Sequence, residues 1–525
     1  MGYFFSIFLG TFILEDLALA SSLALMAENK ISFQAAFLAC FLGISLGDLG
    51  LYFIGYAASQ VGIEKHFKVF KKYRATISRM KRSQALTYSI VISRIIPGTR
   101  LPTYLAAGFL KYPLQNFLIL TLASVFLWVL IALVGGRSLH YIFMDRWLLS
   151  LVVFLGFLQL LKVLVPKLAD PWLRKAMLYS WRRWLQFEFW PAPFFYLPIV
   201  PYYIYLSLRY RSLFLPFYAS PHLKHGGLIG ESKWDFLRHL EAKESSTLKS
   251  LKIDKDLDFM SAKNLLEAHE IEYPFIMKPD VGQRGYGVRI IRNDFDLTEY
   301  LLLSDFERII QKLSVLPGEA GVFYIRIPSE SVGHIFSITD KKFPFVVGDG
   351  ATKLGDLILS DLRARIIASV YFARLKDHLD SVPAKNEIIL LSECGNHCQG
   401  AIFLNGKNII SEELTQEIDR IAKQIPDFYF GRFDIRYKDT SSLLLGKQFE
   451  IVEINGSGSE ATHIWDARTT LFEAYKTLFS QWRILFEIGY QVRRFQGKQT
   501  KVQIGSFLKV CIKVAFRKES LSISS

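Results

Sequence analysis

A lysine, a glycine-rich turn and two polar strand ends hold the residues in this sequence best suited to chemistry. Phe275-Ile276-Met277-Lys278-Pro279-Asp280-Val281-Gly282-Gln283-Arg284-Gly285-Tyr286-Gly287-Val288 sets a glycine-rich turn between two β-like runs, Pro274–Lys278 and Val288–Ile291. A Walker loop needs Gly-Lys-Ser/Thr leading into a helix, and a dinucleotide fingerprint needs strand–turn–helix, so neither fits. A strand–loop–strand hairpin instead makes a flap whose amides can fold over phosphates, with Lys278 reaching the same charges. A plain hairpin with a surface lysine is the bland alternative. Further on, Gly431-Arg432-Phe433-Asp434-Ile435-Arg436 and Phe449-Glu450-Ile451-Val452-Glu453-Ile454-Asn455-Gly456 read as strands. The two-residue period of a strand puts Arg432, Asp434 and Arg436 on one face of the first, and Glu453 together with Asn455 on the second. Asp434, Glu453 and Asn455 are hard oxygen donors suited to one or two Mg²⁺ bridging phosphates. Arg432 would neutralise charge as a phosphoryl group transfers.

These motifs need a soluble α/β frame, and one begins near residue 216. Tyr273–Lys278, Val322–Ile327, Phe430–Tyr437 and Phe449–Ile454 read as strands, and 230–243 and 411–425 as helices. The rest of the chain is different in kind. Of 525 residues, 51% are hydrophobic and only 21% charged, which excludes a disordered or fibrous protein. The net charge of +15 invites a nucleic-acid reading, but its distribution opposes one. Residues 1–220 hold 22 basic against 8 acidic residues, while 221–482 hold 32 against 38. Nucleic acid is therefore not an expected partner. Cys40, Cys394, Cys398 and Cys511 spell no disulfide framework, so a reducing compartment is expected for the soluble part.

The basic third is apolar. Residues 1–26, 31–58, 114–135 and 147–166 each approach or exceed the length that crosses a bilayer. Glu15 and Asp16 argue against a cleaved signal peptide. The basic segments 64–82 and 167–184 fix the cytoplasmic side. Residues 185–207 are aromatic but carry Pro191, Pro193, Pro198 and Pro201, and basic residues flank both ends. A re-entrant or interfacial segment fits that pattern better than a proline-kinked span. Four polar features interrupt the apolar run: Glu15-Asp16, Gly47-Asp48, Ser93-Arg94 and Arg100. Ionisable groups at membrane depth face a partner or a wet cavity. They could grip a phosphate headgroup and carry protons, or they could hold the bundle together as internal ion pairs.

Gly43-Ile44-Ser45-Leu46-Gly47-Asp48 with Tyr52 and Gly55, Ser93-Arg94-Ile95-Ile96-Pro97-Gly98-Thr99-Arg100, and Ala106-Ala107-Gly108 resemble the DedA family (the SNARE-associated, or VTT, membrane domain) over about residues 1–165. The resemblance implies a helical polytopic membrane domain with two re-entrant hairpins that moves lipids, including polyprenyl-phosphate carriers. It implies Glu15 and Asp48 as an acidic pair and Arg94 and Arg100 as a phosphate-facing pair. Many members carry prolines beside the first acidic residue, whereas 11–26 here has none.

The Lys278 hairpin, the Arg432-x-Asp434 strand and the Glu453-x-Asn455 strand together resemble the ATP-grasp superfamily over about 230–480, nearest the D-alanine–D-alanine ligase-like and carboxylate–amine ligase branch. That implies ATP and Mg²⁺ (or Mn²⁺), used to make an acylphosphate that an amine attacks. Lys278, Gly282, Gly285, Tyr286 and Gly287 would then hold phosphates, Gln311 and Lys312 the adenine hinge, and Glu319 the ribose. Asp434, Glu453 and Asn455 would hold metal, and Arg432 and Arg436 would act in phosphoryl transfer. Gly226–Lys233 belongs to the pattern without an assigned chemistry.

The remaining polar motifs are candidate substrate contacts. Cys394-Gly395-Asn396-His397-Cys398 offers at most three ligands where zinc wants four, so Asn396 and His397 read better as contacts to phosphate or substrate. Arg326 and Lys341 suit a substrate carboxylate or phosphate. Glu460 and His463 follow the metal strand and could meet the acyl acceptor. Each could equally be an ordinary surface residue. The expected organisation is a membrane domain at 1–166, a basic, Pro/aromatic membrane-associated segment at 167–215, an ATP-grasp domain at 216–482 and a basic tail at 483–525. The expected function is a multi-pass inner-membrane ligase with its catalytic domain in the cytoplasm. Its expected partners are the lipid bilayer and a lipid-phosphate or envelope precursor, with self-association left open. The alternative is a lipid transporter whose nucleotide unit only binds or regulates.

Overall fold

The computed structural model describes residues 2–61, 83–94, 99–143, 170–240, 246–282, 287–303, 306–392 and 400–495. It also describes the isolated positions 153, 156, 160, 164, 167, 168, 285, 395, 397, 505 and 507. The basic loop 64–82, most of 147–166, Tyr286, Asn396 and most of the tail beyond 495 lie outside the described residues. The chain divides into two compact units, Met1–Arg174 and Lys175–Ser525.

The first unit is helical. Helices α1 (Gly2–Ile13) and α2 (Glu15–Ala27) are separated by Leu14, whose backbone is extended. At 1.5 Å per residue each is about 20 Å or less, too short to cross a bilayer core. Helices α4 (Ser83–Ile92) and α5 (Arg100–Phe109) are shorter still. Helix α3 (Phe33–Val61) separates these pairs and α6 (Leu114–Phe143) follows the second; they contain the two stretches among the described residues long and apolar enough to span, Phe33–Gln60 and Leu114–Gly136. Ile7, Leu19, Cys40, Ile44, Val129 and Leu133 form one core between α1, α2, α3 and α6.

Helices α3 and α5 meet backbone to backbone because glycine stands at both contacts. A Cβ on Gly108 would collide with the Tyr52 carbonyl, and one on Gly55 with the Leu105 carbonyl. Gly108→Leu is expected to cost about 1–3 kcal/mol by overpacking this seam. The effect is read as earlier thermal unfolding of the detergent-solubilised protein; an unchanged melting curve would show that the seam tolerates side chains.

The second unit is built on two antiparallel sheets. Strands β1 (Ser250–Ile253), β2 (Phe275–Pro279), β3 (Arg289–Ile291) and β4 (Arg308–Lys312) pair in the order β1-β4-β2-β3. Two helices, α9 (Phe259–Ala268) and α10 (Asp294–Leu303), contribute Leu266 and Leu297 to the core against Phe275, Met277 and Ile310. The larger sheet runs β11-β10-β5-β6-β9, from strands β5 (Gly318–Ile325), β6 (His334–Lys342), β9 (Ile402–Asn405), β10 (Phe430–Tyr437) and β11 (Phe449–Asn455). Strands β7 (Phe345–Val347) and β8 (Ile388–Leu390) form a separate pair. Helix α11 (Glu412–Ala422) covers one face of the larger sheet. Ser411 caps it by accepting from the Leu414 amide, and Glu412 and Glu413 sit favourably in its first turn.

The proline-rich segment forms a short helical turn, Ala192–Tyr196, and helix α7 (Ile199–Arg209), with Pro198 between them. Its inner residues pack on α12 (Leu471–Phe495): Tyr202 on Phe479, and Tyr203 on Trp482 and Phe486. Helix α8 (Trp234–Leu240) precedes the smaller sheet.

Candidate functional site

In the first unit, the four ionisable residues singled out above converge. Arg94 Nη1 lies 2.6 Å from Glu15 Oε1, and Arg94 also pairs with Asp48. Arg100 pairs with Glu15, and its Nε lies 2.9 Å from Asp48 Oδ1. The side chains of Asp48 and Arg94 are 0% and 3% exposed, while Arg100 keeps 30%. Two arginines against two carboxylates give a cluster with no net charge. An ion pair removed from water holds only while both partners are present, so each member depends on the others.

In the second unit, register creates the site. Arg432 opposes Asn455 and Asp434 opposes Glu453 across β10 and β11. On the other side of β10, Arg436 opposes Glu319 and Asp434 opposes Gly321; on β6, Lys341 opposes Glu319. Four strands therefore present one charged face. Gly321 leaves room for it, since a Cβ there would sit 3.1 Å from Arg432 Cδ and 3.2 Å from Asp434 Oδ1. Asp434 accepts from Arg432 Nε at 3.1 Å, Arg432 Nη2 at 3.0 Å, Lys341 Nζ at 2.9 Å and Asn455 Nδ2 at 2.9 Å. Burial works to raise its carboxyl, but Arg432 and Lys341 outweigh that and hold it well below the usual carboxylate range. Glu319 binds Lys341 at 3.1 Å and Arg436 at 3.1 Å.

The smaller sheet supplies an opposing cation, Lys278. Between Asp434 and Ile435 the β10–β11 register slips by one, leaving Val452 as an extra residue on β11. The Val452 carbonyl accepts from Lys278 Nζ at 3.0 Å and from Gln311 Nε2 at 3.2 Å. Lys278 also donates to Gln311 Oε1 at 2.7 Å. Burial lowers the Lys278 ammonium to about 8, although Glu453 opposes the shift. Gln311 thus turns inward to fix Lys278, while Lys312, the last residue of β4, is exposed. Beyond Lys312 the chain borders a cleft of about 650 Å³ lined by Tyr273, Ile290, Leu313, Phe343, Leu390 and Arg436. That volume lies within the range of small-molecule sites, and Arg436 links it to the charged face.

Sequence reasoning missed Glu231 and Lys233, which lie in the unassigned Gly226–Lys233 stretch. Lys233 is buried, donates to the Gly282 carbonyl at 2.7 Å and stands 3.6 Å from Glu453. Glu231 accepts from the Gly456 amide at 3.0 Å, directly after the metal-type strand, and burial pushes its carboxyl up to about 7. A Gly-Glu-Ser-Lys run beside two glycines was the available signal; only the fold shows that it meets β11.

The substrate candidates divide. Glu460 accepts from Trp465 Nε1 at 2.7 Å and Tyr196 Oη at 2.6 Å, and its carbonyl takes Arg432 Nη1 at 3.1 Å. Burial raises its carboxyl against those bonds. His397 Nε2 lies 3.0 Å from Glu188 Oε2, which Arg363 meets at 3.2 Å, and its ring stacks on Trp465. Glu188 and Tyr196 come from the proline-rich segment and were not singled out in the sequence. Burial lowers the His463 imidazolium, and its Nδ1 has no hydrogen-bond partner among the described residues. Arg326 is not brought in. It lies past the far end of β5, about 23 Å of strand from Glu319, with its guanidinium 4.7 Å from the Tyr429 ring centre.

The metal-type set fits hard-cation chemistry in donor type, since two carboxylates and an amide oxygen occur on adjacent paired strands. Among the described residues, no group of three His, Cys, Asp or Glu side chains is arranged to hold a metal ion.

Residues 3–138 match the VTT domain family. This part of the chain is therefore a VTT domain, and the two apolar stretches named above lie within it. A search of the curated proteins gave no match. Among solved structures, the chain is similar to a bifunctional glutathione synthetase from Pasteurella multocida (17% identity, 47% of this chain and 36% of that one, TM-score 0.28). It is also similar to the VanG D-Ala:D-Ser ligase from Enterococcus faecalis (14%, 50% and 63%, TM-score 0.29). A D-alanine–D-alanine ligase from Bacillus anthracis is similar at 14%, over 55% of this chain and 72% of that one, with TM-score 0.31. The chain spans less than two thirds of the length of the first two.

Proposed function

We propose that the second unit is an ATP-grasp carboxylate–amine ligase joined to a VTT lipid-handling domain. On this reading the protein is a multi-pass inner-membrane enzyme with its ligase in the cytoplasm, acting on a lipid or lipid-linked envelope precursor. The observation that carries it is the meeting of Lys278 and Lys233, from outside the larger sheet, with Val452 and Glu453 on β11, beside the Arg432–Asp434 pair. A nucleotide needs such a site: a cleft with apolar walls for the base, here Ile290, Leu313, Phe343 and Leu390 with Arg292 and Arg436 at its lining, then cations and hard oxygens for phosphates.

ATP, when bound, supplies the phosphoryl group that activates a carboxylate for attack by an amine. The chain's own residues bind and orient. Lys278, Lys233, Gly282, Gly285 and Gly287 would hold phosphates, and Asp434, Glu453 and Asn455 would hold Mg²⁺. Arg432, held bidentately by Asp434, would stay fixed against the developing negative charge without reorganising. Lys341 and Arg436, anchored on Glu319, would present two further cations on the same face. In the first unit, Arg94 and Arg100 would exchange their pairs with Glu15 and Asp48 for a lipid phosphate, and the short helix pairs would be re-entrant.

Lys278 gives this reading a pH signature. Its ammonium titrates near 8 in the folded protein against 10.5 ordinarily. The ligand-free protein thus carries the cation below pH 8 and loses it as pH rises through that value. ATP affinity, measured by calorimetry, is expected to fall by up to about tenfold per pH unit above 8, and Lys278→Arg to remove that decline. A flat profile in the wild type would remove Lys278 from the phosphate site. For stability the sign is opposite. Between pH 8 and 10.5 the unfolded lysine holds a proton that the native one has released, so this group's contribution to stability rises with pH.

A further inference from the structure

The proline-rich segment has two faces with different chemistry. Its inner face belongs to the site: Glu188 meets His397 and Arg363, and Tyr196 holds Glu460. Its outer face is apolar and open. Leu197, just before α7, and Val200, Ile204 and Leu208 on its side turned away from α12 recur at helical spacing, with Leu208 73% exposed, and Trp184 and Leu185 extend the exposure. A helix on a soluble surface would carry polar groups along that stripe. The exposed charges of the segment itself have one sign. Arg182, Arg183, Arg209 and Arg211 flank the stripe and are exposed, while the only carboxylate from 181 to 213 is Glu188, which is buried. Tryptophans, tyrosines and arginines around an apolar stripe are the composition of a helix lying in a bilayer interface.

We propose that residues 181–211 dock the second unit on an anionic lipid surface, with the Leu197–Leu208 stripe among the acyl chains and the four arginines at the phosphates. The charge pattern selects this occupant: four exposed cations, against one partly exposed carboxylate beside them (Glu487 of α12, at Tyr210), leave a net positive rim that suits an anionic bilayer rather than a neutral one. Docking stands on the outer face alone. Its consequence rests on the ligase reading above: the element that touches lipid also holds His397 and Glu460, so the acceptor would be an amphiphile whose headgroup reaches them from the bilayer.

The test uses the full chain in phosphatidylglycerol-containing nanodiscs, with nitroxide labels on Leu197→Cys, Leu208→Cys or Val315→Cys in a cysteine-to-serine background. Labels at 197 and 208 should collide with lipid-soluble oxygen in preference to a water-soluble nickel chelate, and the label at 315 should do the reverse. Arg209→Glu/Arg211→Glu, or nanodiscs of phosphatidylcholine alone, should shift 197 and 208 toward the nickel-accessible pattern. Labels at 197 and 208 as open to nickel as 315 would overturn docking. So would labels shielded from both reagents, which would place the stripe inside a protein interface. ATP binding by the same samples is read separately. Docking without ATP binding would sink the ligase reading and leave this proposal standing, whereas ATP binding with water-exposed labels would sink this proposal alone.

Discussion

Alanine at position 278 is expected to lower ATP-dependent ADP release by about 100-fold or more while the protein stays folded. Lys278 stands on β2 with its ammonium buried against the Val452 carbonyl and Gln311. A fixed charge in a desolvated site is worth far more than the same charge in water, and removing one such donor typically costs a factor of about 10²–10³ in rate. Folding should survive because the bulged Val452 carbonyl still accepts from Gln311, and Gln311 Nε2 also reaches Ser250. Steady-state ADP production and thermal unfolding, measured together, separate the two effects. A variant with normal turnover would mean that phosphates bind elsewhere.

Asp434→Ala should do the opposite and strike stability first. This one carboxylate accepts two hydrogen bonds from Arg432, one from Lys341 and one from Asn455, and its side chain is only 12% exposed. Without it, among the described residues, Arg432 keeps the Glu460 carbonyl as hydrogen-bond partner and Lys341 keeps Glu319. A buried cation stranded in this way costs about 3–5 kcal/mol. Asp434→Asn retains the shape and one acceptor oxygen, so it should lose less stability and still lose activity. Chemical denaturation followed by intrinsic fluorescence distinguishes them. Equal, small losses for both variants would show that the charged face is solvated rather than buried.

Local spacing made part of this site legible in the sequence. The two-residue period put Arg432, Asp434 and Arg436 on one face, and it put Glu453 beside Asn455, because strand geometry fixes side-chain direction without tertiary information. The hairpin around the glycine turn was legible for the same reason, with β2 and β3 antiparallel through Phe275 and Ile291. The four membrane residues were readable as chemical misfits in an apolar run. Internal ion pairing was one of two readings open to them, but which partners meet was not legible, since the pairs join positions up to 85 residues apart.

What stayed hidden depends on long-range placement. Gln311 has the type and position of a hinge residue, yet its side chain points inward because strand alternation puts it on the same face as Ile309, toward Val452. Lys233 and Glu231 reach β11 from more than 200 residues away. The break at Leu14 has no proline to announce it; the helix restarts where Glu15 is needed by Arg94 and Arg100. In the proline-rich segment, composition forbade one long helix but gave no hint that its inner face would carry Glu188 and Tyr196 to the site.

The central claim is that the second unit turns over ATP by activating a carboxylate. It is tested most directly by supplying the full-length protein in nanodiscs with ATP, Mg²⁺ and an envelope extract whose carboxylates carry ¹⁸O. The account predicts ADP together with inorganic phosphate that has acquired ¹⁸O from the carboxylate, and neither product with Lys278→Ala or Arg432→Ala. ATP bound and recovered intact, or phosphate free of ¹⁸O, would contradict it.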